Sequence, residues 1–390
     1  MSEIKVNSIK GVGASTAAIT VNNTDGTCTA NITNNLSNRR ININGAMICS
    51  QRGTSFTNIG SGGGGTSGYD DTYVLDRFLI SQGLSAGRCS VTQENDAPSG
   101  FSKSLKIATT TADTSTAAGE YHRLLTKFEG QDLQRFAKGT SDAKQFTLSF
   151  YCKANASATY VAELHDTDND RSISKTFSVT TSWTRVKLTF AADTTGAFNN
   201  DNLLSMTLAL WFHAGSTYSS GTLQTNWGSM TAANRAVGID SIFDSTNRTF
   251  FITGVQLEVG STATDFEHRS FGQELALCQR YYYLHCSGDG KAISTGSIYT
   301  DNYVFNEVSF PVSMRANPSL DQVTGSNYYA HYSSGTADAF NQFVQINDPH
   351  LNGCMLSSNN AGGVSNMSAG KAVHTITSNS ASFLAFSAEL

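Results

Sequence analysis

Charged residues are scarce in this chain, and that scarcity excludes several classes of protein. Asp, Glu, Lys and Arg make up 15% of the 390 residues, against about 25% in an average globular protein. Long solvent-exposed helices are normally rich in Glu and Lys, so a helical protein is not expected. Ser, Thr, Asn and Gly replace the missing charge, while 39% of the chain is hydrophobic, which suffices for packed cores.

Runs of Lys or Arg and long apolar stretches are also missing from the sequence. The net charge is -5, so a phosphate backbone finds no cationic track and we expect no nucleic-acid partner. The longest apolar stretch, near Met206–Phe212, is well short of the roughly 18 residues that span a bilayer. The first residues lack the apolar core of a signal peptide. We therefore expect a protein made in the cytoplasm, without membrane insertion.

Cysteine and proline patterns exclude two further classes. The 7 cysteines are odd in number and scattered, with no Cys-x-x-Cys, so neither a zinc knuckle nor a redox pair is indicated. We expect reduced thiols, with Cys152 and Cys278 acting as small buried hydrophobes. Only 4 prolines occur, so a Pro-rich disordered chain is not expected.

Alternation of apolar and polar residues is the strongest pattern present. Phe146–Lys153, Trp183–Phe190 and Met206–His213 each place apolar side chains on one face and polar ones on the other. This period of two is typical of antiparallel strands with one buried face. Many such segments without a convincing helix between them predict an all-β protein, with an antiparallel jelly-roll β-sandwich over residues 41–268.

A short helix and a second β unit are predicted after the sandwich. Ser270 and Gln273 fit a capping box that opens a helix in residues 269–283, running to about Tyr282. The alternation returns at Tyr299–Phe310, Phe340–Ile346 and Phe383–Leu390. Residues 284–390 are therefore predicted to form a smaller C-terminal β domain.

The N-terminal segment, residues 1–40, is too polar to bury a core by itself. Its Asp25-Gly26 pair fits a tight turn between short strands. Two interpretations remain open, a flexible tail or a segment ordered by packing on copies of itself or on a larger assembly.

Ordered motifs spread over residues 41–283 resemble those of tail-fibre and related virion structural proteins of tailed bacteriophages, particularly marine ones. The motifs are Asn44–Met47, Gln51–Gly53, Tyr73–Phe78, Asp96–Lys106, Phe250–Gly260, Phe266–Gly272 and Cys278–Tyr282, and Phe310–Leu320 recurs downstream. The resemblance implies a jelly roll similar to carbohydrate-binding modules, a homotrimeric fibre in the virion tail, attachment to other tail proteins through residues 1–40, and a distal tip that faces the host.

These implications predict a protein that recognises a host-cell surface glycan. Two alternatives remain: an architectural collar or decoration protein that binds no glycan, and a polysaccharide depolymerase. Catalysis is not expected. Gly83–Gly87 matches the Gly-x-Ser-x-Gly pattern of serine hydrolases, but its continuation, Arg88–Gln93, indicates a strand where the hydrolase elbow needs a helix. A hairpin loop explains the motif.

Three carboxylates, Asp166, Asp168 and Asp170, are spaced two apart as in a calcium loop. A full calcium loop needs Gly at position six and Glu at position twelve, where this chain has Arg171 and Phe177. The segment is therefore either a polar turn or a partial calcium site, and no other cofactor is expected.

Aromatic residues in predicted loops are the candidates for sugar contact, since aromatic rings can stack on the apolar face of a sugar ring and binding sites often lie in loops. They are Tyr218 and Trp227 in the 214–235 loop, and Tyr328, Tyr329 and Tyr332 in the 326–335 loop. The alternative is that these rings pack between protomers or beneath their own loops, which we favour for Trp227.

Overall fold

The computed structural model describes residues 6–15, 17–22, 24, 28–30, 38–60 and 69–390. In the N-terminal segment, β1 (Ser8–Ile9), β2 (Ile19–Val21) and β3 (Cys28–Ala30) form a small antiparallel sheet. None of its described residues belongs to the hydrophobic clusters of the two larger units. The predicted turn at Asp25-Gly26 and residues 61–68 of the Gly-rich loop lie outside the described residues.

Thirteen strands of the described residues follow in the first large unit, and three of them coincide closely with the alternating segments Phe146–Lys153, Trp183–Phe190 and Met206–His213. They are β4 (Ser55–Ile59), β5 (Tyr69–Tyr73), β6 (Leu79–Gly83), β7 (Arg88–Glu94), β8 (Ser104–Thr111), β9 (Tyr121–Glu129), β10 (Phe146–Ala154), β11 (Ala158–Asp166), β12 (Arg171–Val179), β13 (Thr184–Phe190), β14 (Leu204–Ala214), β15 (Gly228–Ser229) and β16 (Thr249–Val259).

The strands form two antiparallel sheets, and the chain crosses repeatedly between them. One sheet has the order β13-β10-β16-β8-β7-β4, and the other has the order β15-β12-β11-β14-β9-β6-β5. The predicted antiparallel jelly-roll sandwich is therefore confirmed. Because neighbouring strands are antiparallel, one face of each sheet is free to be apolar while the other is polar.

The core of the sandwich follows directly from the alternation. Phe146, Leu148 and Phe150 of β10 have no exposed surface and lie in one cluster with Leu208 and Phe212 of the opposite sheet. Aromatic rings fill this space efficiently because each buries a large apolar area. Sequence periodicity thus identifies the residues between the sheets.

Among the described residues, short 3-10 helices at Gln134–Phe136, Ala232–Asn234 and Asn360–Gly362 accompany three short α-helices. They are α1 (Gly130–Leu133), α2 (Ser216–Ser219) and α3 (Phe271–Gln279). The capping box predicted at Ser270 and Gln273 is present at the start of α3, and Cys278 is buried as expected. The helix ends before Tyr282, which instead opens a strand. No helix in the described part of the chain is long and apolar enough to cross a membrane.

The C-terminal unit consists of two further antiparallel sheets. Its strands are β17 (Tyr282–Ser287), β18 (Ala292–Thr300), β19 (Tyr303–Ser309), β20 (Ser319–Gln322), β21 (Tyr329–Ser333), β22 (Thr336–Phe340), β23 (Gln345–His350), β24 (Gly353–Ser358), β25 (Ala372–Thr377) and β26 (Phe383–Ser387). A three-stranded sheet, β17-β26-β20, packs on one face of a seven-stranded sheet, β22-β21-β25-β18-β19-β24-β23.

Two predicted strands of this unit were too long. The alternation of Tyr299–Phe310 is interrupted by a turn at Asp301 and Asn302, where Asn302 has a φ of 60°. Asn adopts this left-handed conformation more readily than most residues. Phe340–Ile346 is likewise divided between the end of β22 and the start of β23.

The edge strand β23 is irregular. It pairs with β24 through Gln345, Ile346 and Asn347, and the register then shifts before His350. Pro349 lies within this irregular part, and proline has no N–H to give to a neighbouring strand. This edge of the sheet therefore offers an incomplete set of backbone donors.

A buried carboxylate connects the segment before β4 to α3. Glu274 is 1% exposed and accepts a hydrogen bond from the backbone N–H of Asn44 at 2.5 Å. It also forms an ion pair with the buried guanidinium of Arg40. Burial lowers the pKa of Arg40 below its usual range. The pair therefore holds together two segments separated by more than two hundred residues of chain.

Further ion pairs join the sandwich to the C-terminal unit. Arg280 donates to both carboxylate oxygens of Glu129 at 2.9 and 2.7 Å. Arg77 pairs with Glu389 and lies over the ring of Tyr281, 3.4 Å from its centroid. These contacts fix the two units against each other through groups that are mostly buried.

Replacing Glu274 with Ala is expected to lower the free energy of unfolding by about 3–5 kcal/mol, because it leaves the buried Arg40 charge unpaired. Denaturant unfolding of the full chain measures this loss. Glu307→Ala is the matched control, since Glu307 is an exposed glutamate, and it should change stability by no more than about 0.5 kcal/mol. Equal effects of the two substitutions would contradict the structural role assigned to Glu274.

Candidate functional site

The seven-stranded sheet of the C-terminal unit has one face that the three-stranded sheet does not cover. Along β18, Ile293 and Ile298 are buried, whereas Thr295, Ser297 and Tyr299 are exposed. The same alternation continues on neighbouring strands, because successive side chains of a strand point to opposite faces. We call this exposed surface the outer face. Its other members are Tyr303, Phe305, Glu307, Tyr332, Ala372 and His374.

Three aromatic rings lie together on the outer face. The ring centroid of Phe305 is 5.6 Å from that of Tyr299 and 5.1 Å from that of Tyr303. Tyr299 is 70% exposed, and the other two rings are half-buried. Isolated exposed apolar side chains are common, but a contiguous aromatic group on a flat sheet is more often a contact surface.

A fourth aromatic residue, Tyr332, lies on the same face. It is 46% exposed and pairs in register with His374 of β25, which in turn pairs with Thr295 of β18. From strand spacing and rise, Tyr332 lies roughly 15 Å from Phe305. Exposed hydroxyl and imidazole groups occupy the surface between them, so the outer face combines aromatic planes with hydrogen-bonding groups.

Beneath the outer face, a buried polar network holds the central strands together. His331 has no exposed surface, and its Nδ1 lies 2.9 Å from Thr375 Oγ1 and its Nε2 lies 2.7 Å from Ser358 Oγ. Asn306 donates to the same Thr375 hydroxyl at 2.8 Å. Burial lowers the pKa of His331 to about 4, so this imidazole is neutral at physiological pH.

The tyrosines predicted for sugar contact do not form a cluster. Tyr329 has no exposed surface, and its hydroxyl donates to the carbonyl of Phe383 at 2.7 Å. The sugar-contact prediction for Tyr329 is therefore wrong. The predicted loop contains strand β21, whose alternation directs Tyr329 into the core and Tyr332 to the outer face. Tyr328 is half-buried and packs against the core.

The aromatic residues of the 214–235 loop are also engaged within the protein. Tyr218 contacts Tyr121 and Trp211, with ring centroids 5.5 and 5.4 Å apart. Trp227 packs against the sandwich core, and its indole N–H donates to the carbonyl of Ala191 at 2.8 Å. This placement agrees with the packing interpretation favoured for Trp227.

The three aspartates proposed for calcium do not converge on one point. Asp166 is fully buried and accepts a hydrogen bond from the ammonium of Lys138 at 2.5 Å. Asp168 accepts from the backbone of Asn199, while Asp170 faces His165. The structure therefore does not bring Asp166, Asp168 and Asp170 together as calcium ligands, and the carboxylate of Asp166 is paired with the Lys138 ammonium. The alternative, a polar turn between β11 and β12, is what the structure shows.

The Gly83–Gly87 motif connects β6 to β7, and the strand predicted after it is present. The predicted hairpin is wrong, because β6 and β7 belong to different sheets and the connection crosses between them. Its Ser85 hydroxyl donates to Asp113 at 2.7 Å and is 6% exposed. The strand-turn-helix of a nucleophile elbow is not formed by these residues.

Sequence reasoning missed Tyr299, Tyr303 and Phe305 as surface residues. A signal was present, because in Tyr303–Ser309 one face carries Tyr303 and Phe305 while the other carries Val304 and Val308. A strand with apolar residues on both faces either lies between two layers or exposes an apolar surface. The sequence does not show which of these two cases applies, because it does not reveal whether a second layer covers that face.

Comparison with solved structures finds distant likenesses. A CBM4 module has a TM-score of 0.28 at 12% identity, with the alignment covering 56% of this chain and 99% of that chain. A family 11 carbohydrate-binding module of a Clostridium thermocellum cellulosomal cellulase has a TM-score of 0.27 at 10% identity, covering 53% and 99%. The enzymatically active domain of tailspike protein 4 of bacteriophage CBA120 has a TM-score of 0.27 at 14% identity, covering 47% and 19%.

No protein-family model matches the chain, and no curated protein matches its sequence. At the scores above, the structural likenesses assign neither a family nor a ligand. The outer face must therefore be judged on its own residues.

The buried imidazole of His331 predicts a pH dependence of stability. Its pKa is lowered from 6.5 to about 4 by burial, so the unfolded chain binds a proton in this pH range before the folded chain does. Stability is then complete above pH 6.5 and falls as the pH drops towards 4, by about 3 kcal/mol at most. Denaturant unfolding at a series of pH values measures the slope.

His331→Gln should lower the number of protons taken up on unfolding, which sets that slope, by up to one. Glutamine does not titrate, but it can still form hydrogen bonds with the neighbouring hydroxyls. His374→Gln, on the exposed side of the adjacent strand, is the control and should leave the slope unchanged. Identical slopes for wild type and His331→Gln would show that His331 does not contribute.

Proposed function

We propose that this protein is a bacteriophage tail fibre whose C-terminal unit recognises a host-cell surface glycan through the outer face. The observation that supports this best is the exposed aromatic group of Tyr299, Tyr303 and Phe305 on a flat sheet, with Tyr332 further along. The motif resemblance of residues 41–283 supports the assignment to a phage tail.

The outer face has the chemistry that carbohydrate recognition needs. A sugar ring carries C–H groups that pack on an aromatic plane and hydroxyl groups that need hydrogen-bonding partners. Thr295, Ser297, Glu307 and His374 are exposed beside the rings. A shallow face allows weak contacts, and several copies held close together raise the overall affinity through effective concentration.

The residues of the resembling motifs have structural roles in this chain. Gln51 donates to the carboxylate of Asp76 at 2.9 Å and to the carbonyl of Tyr282 at 2.7 Å. These contacts of Gln51, together with those of Asn44 and Glu274, join the sandwich to the C-terminal unit. In the proposed function, the sandwich carries and orients the unit that binds, and residues 1–40 attach to other tail proteins.

The test of glycan recognition is an array of bacterial surface polysaccharides probed with the full chain, followed by calorimetry on the saccharide that binds. Tyr299→Ala and Phe305→Ala are each expected to weaken binding about two- to tenfold, since one aromatic contact is worth about 0.5–1.5 kcal/mol. Tyr332→Ala tests how far the site extends along the face.

Phe271→Ala is the matched control, because Phe271 is 57% exposed but lies at the start of α3, outside the outer face. It should leave binding unchanged. Reproducible binding that all these variants retain would place the glycan site elsewhere. An absence of binding to any polysaccharide of a susceptible host would favour the architectural alternative, and shortened polysaccharide chains would favour the depolymerase.

The proposed fibre is a homotrimer, since the exposed strands of the N-terminal segment are suited to burial around a symmetry axis. Light scattering of the purified full chain should then give about three times the 41.7 kDa mass of one chain. A measured mass near that of a single chain, independent of concentration, would contradict the trimer.

A further inference from the structure

A compact cluster of metal-ligating side chains lies at one end of the sandwich, away from the outer face. Asp113, Glu120 and His213 are 6%, 5% and 0% exposed, respectively. One ligand atom from each residue, a carboxylate oxygen or an imidazole nitrogen, lies within 4.8 Å of the other two. None of these residues has a role in the proposed glycan recognition.

Backbone hydrogen bonds hold the three residues in two segments: Asp113 and Glu120 lie near the two ends of the β8–β9 loop, and His213 lies near the end of a strand. The N–H of Asp113 donates to the carbonyl of Phe243 at 2.8 Å, and the carbonyl of Glu120 accepts from Gly215 at 2.8 Å. His213 is part of β14 and pairs in register with His122 of β9. The fold therefore brings the β8–β9 loop and a strand of the sheet together at this cluster.

Among the described residues, no Lys or Arg side chain forms an ion pair with Asp113 or Glu120. Asp113 accepts hydrogen bonds from the Ser85 hydroxyl at 2.7 Å and from the N–H groups of Ala86 and Ser115 at 2.8 and 3.2 Å. These donors are neutral. Burying carboxylates away from water is costly unless they are paired or coordinate a metal ion. A divalent cation removes that cost.

The imidazole of His213 is oriented as in metal sites. Its Nδ1 lies 2.7 Å from the hydroxyl oxygen of Ser241, while its Nε2 faces a carboxylate oxygen of Glu120 at 3.1 Å. The Ser241 oxygen also accepts the N–H of Phe243 at 3.0 Å, which fixes its position. A ligating histidine normally donates its second N–H to such a partner, and this leaves the other nitrogen for the metal.

We propose that Asp113, Glu120 and His213 form a binding site for a divalent transition-metal ion of the zinc type, which stabilises this end of the sandwich. Imidazole favours zinc, iron and nickel over calcium and magnesium. Zinc accepts one imidazole with carboxylates and a water molecule in a four-coordinate arrangement, at about 2.0–2.2 Å from each ligand.

The test uses the full chain stripped of metal with a chelator and then titrated with zinc chloride by calorimetry, with the unfolding temperature measured in parallel. Three variants each remove one ligand: Asp113→Asn, Glu120→Gln and His213→Asn. Each should abolish the binding of one equivalent of zinc or lower its affinity at least tenfold, and each should abolish the zinc-dependent rise in unfolding temperature. Ser241→Ala retains all three ligands and should weaken binding about 10–100-fold.

His165→Asn is the matched control. His165 also faces a carboxylate, with its Nε2 3.1 Å from Asp170, but this pair lies at the surface. Its removal should leave the zinc affinity unchanged. Because Cys49, Asp76 and Cys278 also lie close together, the site is assigned from the variants and not from the total zinc content.

Zinc binding that is the same in wild type, Asp113→Asn and Ser241→Ala would overturn the proposal, and so would the absence of zinc binding in the wild type. Calcium binding that survives His213→Asn would indicate a carboxylate site without the imidazole and would likewise overturn it. Circular dichroism identifies any variant that fails to fold. Ser241→Ala then decides, because it removes no ligand.

Discussion

The buried carboxylate of Glu274 is the interaction on which the arrangement of this protein depends. It lies on the short helix between the two large units and binds the segment that precedes the sandwich, through Arg40 and the backbone of Asn44. Without that carboxylate, a guanidinium and a backbone N–H would be buried unpaired. Glu129 and Glu389 extend the same principle, since each pairs with an arginine across the boundary between the units. Buried charges between two units favour a single relative arrangement of the units, because few arrangements pair every charge.

A fixed junction gives the C-terminal unit a defined orientation, and alternation within its seven-stranded sheet then produces two surfaces with different roles. The inner surface packs on β17-β26-β20 and includes the polar network around His331. The outer surface has no covering layer among the described residues, and it keeps aromatic rings exposed. One strand can serve both purposes, as β19 does with Val304 inside and Phe305 outside.

The sequence predicts the sandwich well because period-two alternation encodes burial directly, as in Phe146, Leu148 and Phe150. It also locates the start of α3, since capping is a local interaction.

Functional sites are harder to predict from the sequence. In the sequence, Asp166 resembles a calcium ligand, but the fold places Lys138 beside it. Tyr329 resembles a surface tyrosine, but it belongs to strand β21 and its side chain is buried. The grouping of Asp113, Glu120 and His213 depends on the β8–β9 loop meeting strand β14 in space, which no local pattern reveals.

The irregular edge at β23 has a consequence for crowded conditions. A regular edge strand exposes backbone groups to which a strand of another molecule can add, and flat sheets with apolar faces are especially prone to such pairing. Pro349 and the register shift before His350 interrupt that row of groups. Strand addition at this edge, and the amyloid-like stacking that it would allow, is therefore disfavoured. Where many copies of the chain lie side by side, neighbouring molecules contact this edge through side chains and not through backbone hydrogen bonds.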